Sequence, residues 1–80
     1  MTIRAATWAY LDTLGPCVIS GWGLTDHVSR VTGVRVYPSS VLKAAHRYAD
    51  TSGAIFRCIS NRTSRYQFVP GVKVSGAIID

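Results

Sequence analysis

The cysteines and histidines of this 80-residue chain are Cys17, His27, His46 and Cys58. No two of them stand at the close C-x2-C or H-x3-H spacing of a zinc site, so no metal is expected. Serine, histidine and aspartate are present, but there is no Gly-x-Ser-x-Gly turn to expose a nucleophile. A chain of this size also leaves little room for a substrate cleft. No phosphate loop and no dinucleotide fingerprint occur. The reading is therefore of a non-enzyme without a cofactor. What remains is charge. Seven of the nine cationic residues lie between Arg30 and Arg65, namely Arg30, Arg35, Lys43, Arg47, Arg57, Arg62 and Arg65, against the single acid Asp50. There is no Glu, and the net charge is +5. Such a field attracts polyanions, nucleic acid or anionic membrane among them, although the same balance also serves solubility.

These charges must be held by one small domain, residues 1–80, with a core over about 3–69 and an apolar extension over 70–80. Apolar residues make up 48% of the chain, enough for two packed layers. The mean hydropathy of +0.18 points to exposed apolar surface and so to self-association. No apolar run approaches the roughly 20 residues that span a bilayer, and no secretory signal is recognisable. Both thiols are expected to be free in a reducing cytoplasm.

Helical spacing of Ile3, Ala6 or Thr7, Tyr10, Leu11 and Leu14 predicts a first helix from Thr2 to Leu14, stopped by Gly15-Pro16. Cys17–Ser20 reads as a brief strand and Gly21-Trp22-Gly23 as a loop. A second helix is predicted over Leu24–Thr32, with Thr25 as N-cap, Asp26 in the first turn, an apolar stripe of Leu24, Val28 and Val31, and Gly33 as terminator. After the turn Val34-Arg35-Val36, Pro38 suits the first turn of a third helix running to about Ala49. Leu42, Ala45, Tyr48 and Ala49 fall on one side of it with Val41. Ser39, Ser40, Lys43, His46, Arg47 and Asp50 fall on the other. Ala54–Ser60 and Arg65–Val69 alternate apolar and polar residues about the turn Asn61-Arg62-Thr63-Ser64, which predicts an antiparallel hairpin.

In this order the elements resemble a winged helix-turn-helix domain, an α+β fold of three helices with a C-terminal β-hairpin wing. Leu24–Gly33 is similar to the first helix of the motif, Val34–Tyr37 to its turn, and Pro38–Tyr48 to the recognition helix. Gly53–Phe56 and Ser64–Phe68 resemble the wing strands. The resemblance implies binding of double-stranded DNA, with the second motif helix in the major groove. The residue types agree. Ser39 and Ser40 permit close approach and offer hydroxyls, while Lys43 and Arg47 reach base edges or phosphates, Arg47 with a fork that fits guanine. Arg35, Tyr37, Arg57, Arg62 and Arg65 complete the expected interface. The expected role is a small sequence-specific transcriptional or replication regulator, cytoplasmic or nucleoid-associated. A homodimer is the candidate assembly, through Trp8, Trp22 or the Val72–Ile79 tail, and no membrane partner is expected. The alternative is the same fold used as a protein-interaction module without DNA binding.

Overall fold

The structure is a computed structural model that describes residues 2–72. In chain order it comprises α1 (Ile3–Leu11), β1 (Cys17–Ser20), α2 (Gly21–Thr32), α3 (Pro38–Ser52), β2 (Ile55–Ser60) and β3 (Arg65–Val69). It is an α+β arrangement of three helices and a three-stranded antiparallel sheet of order β1-β3-β2. The strand after α1 therefore joins the hairpin as its third member, a pairing that periodicity alone does not reveal.

Each helix boundary has a local cause. Thr2 Oγ1 accepts from the Ala5 amide at 3.0 Å and starts α1. The helix ends at Leu11, one turn before the expected Leu14, because the Thr13 and Leu14 amides donate to Tyr10 and Leu11 in tighter turns. In α2 the start differs more. Ser20, not Thr25, is the N-cap, its Oγ accepting from the Gly23 amide at 3.3 Å, so Gly21-Trp22-Gly23 is helical rather than a loop. Thr25 is buried inside the helix, where its hydroxyl donates to the Gly21 carbonyl at 2.7 Å. Asp26 consequently lies beyond the first turn and sits 3.6 Å from Arg30 on the open surface. Val31, expected in the apolar stripe, is half exposed. Pro38 stands at the start of α3 as expected. The helix continues past Ala49 to Ser52, whose hydroxyl donates back to the Tyr48 carbonyl at 2.7 Å. Gly33 and Gly53 close α2 and α3 at φ of 72° and 75°, the left-handed region that disfavours a side chain.

The core lies between α1, α2, α3 and one face of the sheet. Leu11, Val28, Val41, Ala45, Tyr48 and Phe68 have essentially no exposed surface. Trp8 is buried too, so of the two roles its size allows, core or dimer contact, it takes the core one. Its Nε1–H donates to the Ala44 carbonyl at 2.9 Å, and its ring meets Tyr48 edge-on at 5.8 Å. One turn on, the Tyr48 hydroxyl donates to Asp12 Oδ1 at 2.5 Å. Both bonds join residues 36 positions apart, so α1 and α3 advance side by side in the same sense. Burial, and then the hydrogen bond to Asp12 and its charge, push the Tyr48 phenol well above its usual range.

Alternation splits the sheet into two faces. Phe56, Tyr66 and Phe68 point to the helices; Phe56 stacks on Tyr66 at 4.7 Å, and His46 of α3 meets both rings edge-on. Val18, Ile55, Arg57, Arg65 and Gln67 point outward. Cys17 and Cys58 are free thiols on the two edge strands, with β3 between them. Two strand spacings are roughly 9.5 Å, beyond the ~7 Å Cα limit for a disulfide. No helix of the described residues is long and apolar enough to cross a membrane. Of the expected tail contact, only exposed Val72 falls within the described residues; its amide donates to the Ser52 carbonyl at 3.1 Å.

Candidate nucleic-acid interface

The buried side of α3 is Val41, Ala44, Ala45, Tyr48 and Ser52, which leaves Ser39, Ser40, Lys43 and Arg47 exposed. Ser40, Lys43 and Arg47 recur at helical spacing and line a shallow open depression of about 330 Å³ together with Ile3, Arg4 and Ala44. Arg4 was not among the residues expected here. The register of α1 on α3 explains its place. Trp8 sits at Ala44 and Asp12 at Tyr48, so one turn earlier Arg4 comes level with Ser40. Nothing in the local sequence announces this, because it depends on how two helices separated by a strand and a third helix pack. The depression is lined by three cations and no acid, and Asp50 follows on the same exposed side of α3 one turn beyond Arg47.

Arg35 and Tyr37 are both exposed in the segment between α2 and α3, with the Arg35 guanidinium 5.7 Å from the centre of the Tyr37 ring. Tyr37 is also the residue that caps α3 by backbone alone. This pair therefore stands at the N-terminal end of the helix that carries Ser39 and Ser40.

The hairpin loop is fixed against the same end of the molecule. The Gly21 amide donates to the Ser64 carbonyl at 2.7 Å. A β-carbon at Gly21 would lie 2.5 Å from Ser64 Oγ and 3.6 Å from Leu42 Cδ2. The start of α2, the base of the loop and the first half of α3 thus converge on a position that only glycine fits without displacement. Ser64 itself takes φ 53°, the left-handed conformation that turns the chain into β3. Arg62 is exposed in this loop.

Arg57 and Arg65 are placed differently. Both are exposed, but they project from the outer face of the sheet, the side away from α3. Arg57 Nε donates to Gln67 Oε1 of the neighbouring strand at 3.2 Å. Arg65 lines a second depression with Val18, Ile19, Ser20 and Thr63. The nine expected residues therefore divide. Ser39, Ser40, Lys43 and Arg47 share the α3 flank, Arg35 and Tyr37 adjoin its start, Arg62 occupies the hairpin loop, and Arg57 and Arg65 belong to another surface.

Trp22 is 67% exposed on the first turn of α2 and borders a shallow groove with Thr25, Asp26, Ser29 and Val36. Comparison with known protein families, curated proteins and solved structures finds no match for this chain.

Proposed function

We propose that the protein is a winged helix-turn-helix domain that binds double-stranded DNA sequence-specifically, as a small transcriptional or replication regulator. The observation that carries the reading is the exposed α3 flank, where Ser40, Lys43 and Arg47 line one groove with Arg4 and no acid. Its small hydroxyls let the helix approach a groove floor, and its cations neutralise phosphates on either side. Arg47 is the residue for bidentate guanine recognition, while Lys43 and Arg4 act on the backbone. The wing loop, anchored through Ser64 to the start of α2, carries Arg62 to the adjoining phosphates. Arg57 and Arg65 are left out of this contact.

The test is selection of bound duplexes from a random pool. A shared sequence should emerge, and Arg47→Ala should relax the preference at one base pair, costing about 1–3 kcal/mol there. Recovery of an unselected pool with wild-type protein would reject sequence-specific binding.

A second reading, the same fold as a protein-interaction module, is favoured by the exposed indole of Trp22. It predicts self-association or partner binding lost on Trp22→Ser in size-exclusion chromatography, with no retardation of duplex DNA.

A further inference from the structure

We propose that the free edge of β1 and the outer sheet face beside it dock an extended segment of another protein that alternates acidic and aliphatic side chains. Three features carry this. The first is the edge. Among the described residues nothing pairs with the outer side of β1, and its four successive pairs with β3 run without irregularity. An unpaired, regular edge is a template for strand addition. The opposite edge, β2, is interrupted by a shift between Cys58 and Ser60, which makes it the poorer template.

The second is the chemistry beside that edge. Val18 is half exposed on the outer face. Two positions along, Ser20 is paired with Arg65, and both line a depression of about 330 Å³ with Thr63. A guanidinium flanked by two hydroxyls offers several donors to a carboxylate. An added strand would therefore place an aliphatic side chain over Val18 and an acidic one, two residues away, over Ser20 and Arg65.

The third is charge complementarity. Asp12, Asp26 and Asp50 all lie on or at the ends of helices, whereas the outer sheet face carries Arg57 and Arg65 and no acid among the described residues. A second copy adding through the same face would bring arginines and no acid to it, among the described residues. Bases lack a stacking partner, since Phe56, Tyr66 and Phe68 face the helices. An anionic bilayer would meet neither aromatic nor lysine anchors among the described residues of this face. The arginines and the half-exposed Val18 favour an acidic, aliphatic polypeptide strand as the occupant. This inference concerns the outer sheet face and does not depend on the α3 flank binding DNA.

The experiment is selection of random 12-residue displayed peptides on the immobilised full chain, followed by fluorescence anisotropy of an enriched peptide. The expected result is enrichment of Asp or Glu two positions from Val, Ile or Leu. Affinity should drop tenfold or more with Arg65→Glu, fall less with Arg65→Gln, and be unchanged by Arg47→Ala. Backbone amide shifts should fall on residues 17–20 and 65–67. The proposal is overturned by enrichment without acids, by affinity indifferent to Arg65→Glu, or by shifts confined to α3. It is equally overturned if Arg65→Glu abolishes binding to phosphatidylserine vesicles, or self-association in sedimentation, while leaving peptide binding intact.

Discussion

Tyr48→Phe isolates one buried contact and should show a distinctive pH dependence. The ring packs against Trp8 and Phe68, and phenylalanine preserves both contacts. What is lost is the hydroxyl, which donates to Asp12 Oδ1 at 2.5 Å. A hydrogen bond to a charged acceptor contributes about 1.5–3 kcal/mol, so the variant should lose about 2 kcal/mol, or roughly 8–16 °C of Tm for a domain this small. The phenol is held above its ordinary pKa of 10 by burial and by the Asp12 contact. In the folded protein it keeps its proton while the unfolded chain ionises. The stabilisation is complete below pH 10 and declines above it, by about 1 kcal/mol between pH 10 and 11. Urea denaturation at pH 8, 10 and 11 measures this, with fluorescence reporting mainly the exposure of buried Trp8. The wild-type advantage over the variant should be constant up to pH 9 and shrink thereafter, while the remaining tyrosines cancel in the difference. A variant as stable as wild type at pH 8, or an advantage that does not change between pH 10 and 11, would refute the assigned contact.

Trp8→Phe removes the indole donor to Ala44 and leaves space between α1 and α3, so it should cost about 2–3 kcal/mol in urea denaturation followed by far-ultraviolet circular dichroism, because the fluorescent reporter is gone. Gly71→Ala would force a β-carbon to within 2.1 Å of the Ser52 carbonyl oxygen. The segment must then lift off, and the Val72 amide should lose its protection from hydrogen exchange while the core amides keep theirs. Oxidation should not bridge Cys17 to Cys58 within one chain, because β3 separates them. Non-reducing electrophoresis should show only intermolecular species, lost with Cys58→Ser.

Much of the fold is readable along the chain because its punctuation is local. Gly33 and Gly53 end helices where backbone φ must be positive, and Pro38 begins one where its missing N–H does no harm. The start of α2 is not readable in this way. Glycine is a poor helix former, so Gly21-Trp22-Gly23 looks like a loop. Tertiary packing reverses this, since Gly21 is the residue that lets α2 meet Ser64, Tyr66 and Leu42. Trp8 was ambiguous for a related reason. A large aromatic serves a core or an interface equally well until a partner such as the Ala44 carbonyl fixes which. On the candidate site, helical periodicity alone sorts Ser39, Ser40, Lys43 and Arg47 onto the open side of α3. Two facts lie beyond it. Arg4 joins that flank only through the α1–α3 register, and the arginines of the hairpin separate by strand parity, with Arg57 and Arg65 on the outer face.

The salt dependence of duplex binding is the sharpest check on the proposed neutralisation of phosphates by the α3 flank. Each phosphate contact contributes about 0.9 to the slope of log Kobs against log salt. The wild type should show a steep slope. Lys43→Ala and Arg4→Ala should each lower its magnitude by about 0.9, and Arg57→Ala should leave it unchanged. A slope near zero, or one that Arg57→Ala reduces while Lys43→Ala and Arg4→Ala do not, would rule out that role for the α3 flank.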